Sequence, residues 1–113
     1  MIHVYLDDFR ACPPGFVLAR NLEECLLLLQ EYEVDVLSLD YDLGWGFPNG
    51  LEVVRAMISL RAYPKRIFLH TSSDAGRKHM YEMLYQQKPD HVALVNGPVP
   101  PELLMELAHP AKE

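Results

Sequence analysis

Cysteine, tryptophan and positive charge are all in short supply in this chain. Among 113 residues there are two cysteines, one tryptophan and ten lysines and arginines, against sixteen acidic residues. Cys12 and Cys25 form no CxxC pair and have no histidine at zinc spacing. Neither a disulfide scaffold nor a zinc ribbon is therefore expected, and two free thiols suit a reducing compartment. The net charge of −6 excludes a grip on a long nucleic-acid duplex, because that affinity comes mainly from basic side chains displacing counterions. It leaves room for a small phosphate ligand, above all one that arrives with a divalent cation. No apolar run approaches the roughly 18 to 20 residues of a membrane span. The N-terminus runs straight into Ile2-His3-Val4-Tyr5-Leu6 without a preceding basic stretch, so no signal peptide is expected and the cytoplasm is the expected location. Repeats, low-complexity tracts and long linkers are absent too. One domain over residues 1–113 is expected, with a short polar tail from about residue 108.

What is present is an alternation. Short apolar runs at Ile2–Leu6, Phe16–Ala19, Asp35–Leu39, Arg66–His70 and His91–Val95 read as strands, and longer amphipathic runs at 22–32, 50–62, 75–87 and 101–108 read as helices. The strands are continuously aliphatic rather than alternating, as strands covered on both faces are. Asn21 with Glu24, and Asn49 with Glu52, have the spacing of a capping box, and Pro100 and Pro101 suit a first helical turn. Strands alternating with helices predict right-handed crossovers and a parallel sheet. The connection from Asp7 to Gly15 is the exception, since Pro13-Pro14-Gly15 forbids a helix there. An extended loop is long enough to return the chain to a parallel strand; an antiparallel turn is the rival.

The polar residues fall at strand ends. Asp7 and Asp8 follow the first strand, Asp40 and Asp42 the third, Thr71, Ser72 and Ser73 the fourth, and Asn96 and Gly97 the fifth. In a parallel sheet all of them share the carboxyl edge, where open α/β sheets bind ligands. Four carboxylates meeting there repel one another unless a positive charge intervenes. Magnesium or manganese, a hard cation that takes carboxylate, water and phosphate oxygens, is the simplest such charge. Each Asp alone is equally at home as a turn or helix cap.

From Phe16 to Pro98, and in the acid pair that precedes this span, the chain resembles the receiver domain of response regulators. The matching pieces are Asp7-Asp8, Asp40 ending the third strand, Asn49-Gly50 opening a helix, Thr71 ending the fourth strand, and Pro98. In receivers the acids bind magnesium, the central Asp accepts a phosphoryl group, and a lysine before the proline neutralises it. Asn96-Gly97-Pro98 stands there with no lysine. The strings Tyr5-Leu6-Asp7-Asp8-Phe9-Arg10, Leu39-Asp40-Tyr41-Asp42-Leu43-Gly44 and His70-Thr71-Ser72-Ser73-Asp74-Ala75-Gly76 resemble the cyclic-phosphate-processing receiver family, whose motifs read DDxR, LDHDLG and His-Ser followed by Gly. Tyr41 takes the place of the second motif's His. The resemblance implies a flavodoxin-like three-layer sandwich with five mostly parallel strands in order 2-1-3-4-5, its first helix replaced by the Asp7–Gly15 loop. It also implies a cis bond before Pro98. Without the lysine, Asp40 is not expected to form a durable aspartyl phosphate.

The expected roles follow. Asp7, Asp8 and Asp40 would hold the cation, with Asp42 a fourth acid. Arg10 suits a bidentate phosphate clamp, or a surface pair with Asp42 or Glu24. Thr71 and Ser72 can donate to phosphate, or simply finish a strand. His70 is the candidate proton carrier, or a satisfied core histidine. Arg77 and His79 could face the same edge, or plain solvent. Trp45 and Phe47 stack on a base, or cover the core. Two function classes stay open. One is binding or hydrolysis of a cyclic phosphate on a nucleotide or RNA end, with Asp40, His70 and Arg10 as catalytic groups. The other is a lysine-less receiver that serves as a protein–protein signalling module.

Overall fold

The structure, a computed structural model, describes residues 1–109; the last residues of the expected polar tail lie outside the described residues. Five strands form one sheet: β1 (Ile2–Leu6), β2 (Val17–Ala19), β3 (Val34–Leu39), β4 (Arg66–Leu69) and β5 (Ala93–Val95). Every neighbouring pair is parallel and the order is β2-β1-β3-β4-β5. The Asp7–Gly15 loop therefore carries the chain back to a parallel strand without a helix, and the antiparallel turn is excluded. The helices are α1 (Leu22–Glu31), α2 (Gly50–Leu60), α3 (Asp74–Gln87) and α4 (Pro101–Ala108). Among the described residues no helix is long and apolar enough to cross a membrane.

The caps follow from side-chain chemistry. Asn49 accepts from the Glu52 N–H at 3.1 Å while Glu52 accepts from the Asn49 N–H at 3.0 Å, a complete capping box. Asn21 likewise accepts from Glu24 N–H at 3.0 Å, but Glu24 turns its carboxylate to the Arg20 N–H at 2.8 Å, so the second box is only half closed. Strand β5 begins at Ala93 rather than His91, because the Val92 N–H closes a turn on the Pro89 carbonyl at 3.1 Å.

The sheet's two faces are covered unequally. Leu6, Leu37, Leu39, Ile67 and Leu69 meet α1, α2 and α3 through Cys25, Leu29, Val53, Met57, Met80 and Leu84, all buried. On the opposite face the core is thin: Val36, Phe68 and Val99, packed by Phe16 and by Leu103, Leu104 and Leu107 of α4. There α4 and the β1–β2 loop share the space a first helix would fill. Gly15, at φ +87°, sits so tightly on the Leu107 carbonyl that a Cβ would overlap it.

One expectation fails. There are no cis peptide bonds among the described residues, so Gly97–Pro98 is trans. The Gly97 carbonyl accepts from the Leu69 N–H at 2.8 Å. In the β4–β5 register the Leu69 N–H would meet the Val95 carbonyl. The chain thus leaves the ladder after Val95, bends through Asn96 and Gly97, and makes its turn toward Pro98 on a trans bond.

Candidate functional site

Register builds the site. Tyr5, Ser38 and Phe68 are partners across β1, β3 and β4. Two residues onward along each strand, on the same face, come Asp7, Asp40 and His70. The ladder carries them there: Asp40 N–H donates to the Leu6 carbonyl at 3.0 Å and His70 N–H to the Leu39 carbonyl at 2.9 Å. Potential ligand atoms of the three side chains lie within 4.8 Å of one another.

Arg10 closes this row. Asp7 Oδ1 accepts the N–H groups of Phe9 and Arg10, each at 2.8 Å, the local turn that aspartate favours after a strand. That turn folds Arg10 back over its own loop. Its Nη1 then donates to Asp7 Oδ2 at 2.9 Å and to Asp40 Oδ2 at 3.2 Å. Among the described residues no protein acceptor takes Nε or Nη2, and the side chain remains 39% exposed. Arg20 holds the loop from beneath, its Nη1 donating to the carbonyls of Asp7 at 3.1 Å and Arg10 at 3.3 Å.

His70 is buried behind Asp7. Its ring stacks on Tyr5 at a centroid distance of 4.3 Å, with 5° between the planes. Nδ1 lies 2.6 Å from Ser38 Oγ and Nε2 2.9 Å from Asp7 Oδ2. Burial lowers its pKa, outweighing the opposing pull of Asp7 and Asp40. The ring is then neutral near pH 7, with Nε2–H donating to Asp7 and Nδ1 accepting from Ser38. Both ring nitrogens are engaged inside the protein. Burial alone would raise the pKa of Asp7, but hydrogen bonds from the Arg10 side chain, the Arg10 and Phe9 N–H groups and His70 hold it down at about 2.

The four acids separate into two sets. Asp7 and Asp40 are buried under Arg10, whereas Asp8 and Asp42 are exposed. Asp8, Asp40 and Asp42 line a cleft of about 420 Å³ together with Phe9, Arg10, Gly44, Trp45 and Ser72. Two hollows of about 540 and 600 Å³ lie along α2 and α3 and contain none of these acids. The cleft carboxylates are hard oxygen donors of the kind magnesium and manganese take. Asp7 is a poorer candidate ligand than Asp40, since it is fully buried, lies outside the cleft and accepts four hydrogen bonds against the two that Asp40 accepts.

The remaining candidates scatter. Thr71 is buried and does not line the cleft; its Oγ1 accepts the Ser73 N–H at 3.1 Å. Ser73 caps α3 through the Gly76 N–H at 3.1 Å. Arg77 pairs with Asp74 at 3.5 Å on the same helix, and His79 lines the α2–α3 hollow. Arg10 pairs with neither Asp42 nor Glu24. Trp45 is wholly exposed and Phe47 60% exposed, so neither buries itself as a core cover. Tyr41 is a packing residue: its hydroxyl accepts from Asn49 Nδ2 at 3.2 Å and its ring lies against Gly76 of α3. A Cβ at Gly76 would overlap that ring. Gly76→Ala should therefore destabilise the fold by about 1–3 kcal/mol, although alanine is the better helix former by about 1 kcal/mol. Urea unfolding followed by circular dichroism measures this, and a neutral or stabilising result would contradict the packing.

Arg20, Ser38 and Tyr5 were not among the expected site residues. Ser38 did carry a signal, as the lone hydroxyl inside an apolar strand. A sequence model for a "cyclic-phosphate processing Receiver domain" matches residues 2–86. No curated protein matches the chain.

Proposed function

The chain belongs to the cyclic-phosphate-processing receiver family, and on that premise we propose that its cleft binds a cyclic phosphate at the end of a nucleotide or RNA. The observation that carries this is Arg10. Two buried carboxylates fix the guanidinium through Nη1 alone, which leaves the Nε/Nη2 edge for a bidentate phosphate. Arg10 also takes over the duty of the lysine that receivers carry before the fifth-strand proline. It neutralises Asp40 from the β1 side, whereas Asn96, beyond β5 on the other side, carries no charge. Ser72 stands on the same cleft and supplies a hydroxyl donor.

Magnesium or manganese would be held by Asp8 and Asp40 with Asp42 as an outer-shell partner, and when bound would neutralise the acidic wall and polarise the phosphate. Hydrolysis of the cyclic diester would form one P–O bond from water and break one to the ribose oxygen, which takes up a proton. In that step Arg10 holds the non-bridging oxygens and Asp40 faces the incoming water. His70 acts through Asp7, keeping that carboxylate charged and aimed at Arg10, and so is a positioning residue.

The test is purified protein with 2′,3′-cyclic mononucleotides and manganese, read by melting temperature and by chromatography of products. A rise in melting temperature supports binding, and a ring-opened monophosphate supports hydrolysis. No shift and no product would sink the proposal. A stoichiometric one-phosphoryl adduct after treatment with a small phosphodonor would instead favour the signalling module.

A further inference from the structure

We propose that Phe9 and Trp45 form a nucleobase seat at the mouth of the phosphate cleft, and that its occupant is a nucleotide with an amino-bearing base. This rests on the phosphate proposal above and names the part of the ligand that lies beyond Arg10. Trp45 is 100% exposed and Phe9 87% exposed, the two most exposed large apolar side chains among the described residues. They stand on different loops, Phe9 after β1 and Trp45 after β3, yet both line the same cleft.

The exposure of Trp45 is built into the backbone. The Phe47 N–H closes a turn on the Gly44 carbonyl at 3.2 Å. Gly44 and Gly46 adopt φ +102° and +86° on either side of the indole, a conformation that side-chain-bearing residues rarely hold. The turn thus presents a large aromatic to water while burying nothing beneath it. A flat apolar face beside a cation that can hold phosphate is the arrangement that stacks a base.

One acid gives the seat a preference. Asp42, on the same loop as Trp45, lines the cleft as an exposed carboxylate. Its Oδ1 accepts the Gly44 N–H at 3.1 Å and its Oδ2 has no partner among the described residues; a carboxylate only accepts hydrogen bonds. Adenine, cytosine and guanine each offer an exocyclic amino group; uracil offers a single ring N–H between two carbonyls, which a carboxylate repels. A cleft of about 420 Å³ falls in the range of small-molecule sites.

The chain contains one tryptophan, so its fluorescence reports on Trp45 alone. The protein is titrated in magnesium buffer with the 2′,3′-cyclic phosphates of guanosine, adenosine, cytidine and uridine, and with glycerol cyclic phosphate as a baseless probe. Saturable quenching is expected with the amino-bearing nucleotides, at least about tenfold tighter than the baseless probe. Phe9→Ala should weaken those nucleotides by about tenfold and leave the baseless probe unchanged. Trp45→Leu, followed by calorimetry, should do the same. Neither side chain is buried, so both variants should keep the parent's melting temperature. Equal affinity for nucleotides and the baseless probe would overturn the seat while the phosphate site stands. Equal affinity for the uridine ligand would overturn the amino-base assignment. Quenching that grows with protein concentration alone would mark Trp45 as a protein contact and overturn the seat as well. If no probe binds, the phosphate proposal falls first and the seat with it.

Discussion

Asp7→Asn is expected to cost about 3 kcal/mol of folding free energy, within the range seen when one member of a buried pair is removed. That corresponds to a fall of more than about 10 °C in melting temperature for a domain of this size. Asparagine keeps the shape and can still accept the Phe9 and Arg10 N–H groups. Its amide nitrogen, however, would face Arg10 Nη1, two donors meeting where a donor and an acceptor met at 2.9 Å. His70 can adapt by moving its proton to Nδ1 and donating to Ser38; Arg10 cannot. The acid dependence gives an independent measure. The Asp7 pKa is depressed from 3.8 to about 2, so its charge stabilises the fold fully above about pH 4, and that contribution is lost as the pH falls through about 2. The shift is worth about 2 kcal/mol. The gap between parent and Asp7→Asn should thus be widest near neutrality and close in strong acid. Asp8→Asn, at an exposed neighbour, should stay within about 0.5 kcal/mol of the parent. Equal stability of Asp7→Asn and the parent at pH 7 would remove Asp7 as the site's anchor.

The strands, and the edge on which the acids meet, were legible because both depend on local pattern. Continuous aliphatic runs specify covered strands, and acids that end such runs share an edge once the strands are parallel. That reading puts Asp7 and Asp40 on one edge, but singling them out with His70 from the other polar residues there takes the β1–β3–β4 register. What the sequence hid was set by three-dimensional reach. Arg10 lies three residues beyond Asp7, and only the turn on Asp7 Oδ1 brings its guanidinium back over Asp40. Nothing in the linear spacing favours Asp40 over Asp42 as its partner. His70 read equally well as a proton carrier or a core residue; the Tyr5 stack and the Ser38 contact that engage its ring come from other strands. The trans Gly97–Pro98 bond was hidden for the same reason, since the Leu69–Gly97 hydrogen bond ties the bend after β5 to β4, a contact between distant parts of the chain.

Arg10→Ala is expected to weaken binding of a 2′,3′-cyclic mononucleotide by about 100-fold. A hydrogen bond to a charged group contributes about 1.5–3 kcal/mol, and the free guanidinium edge can make two of them to one phosphate. Partial exposure of the side chain, 39%, trims their sum to about 3 kcal/mol, which is about 100-fold in affinity. Arg10→Lys separates the contributions. An ammonium can still sit between Asp7 and Asp40 and preserve the fold, but it lacks the planar fork, so its affinity should fall between parent and alanine. Loss of the guanidinium also leaves Asp7 and Asp40 facing each other without compensation, so Arg10→Ala should melt below the parent while Arg10→Lys stays close to it. Calorimetric titration in magnesium buffer, at a temperature where all three proteins are folded, makes the comparison. The ordering expected is parent tightest, lysine intermediate, alanine weakest. Affinities for Arg10→Ala within about threefold of the parent would show that the phosphate does not rest on Arg10. The cleft would then be left with a row of acids and no charge of its own to hold an anion.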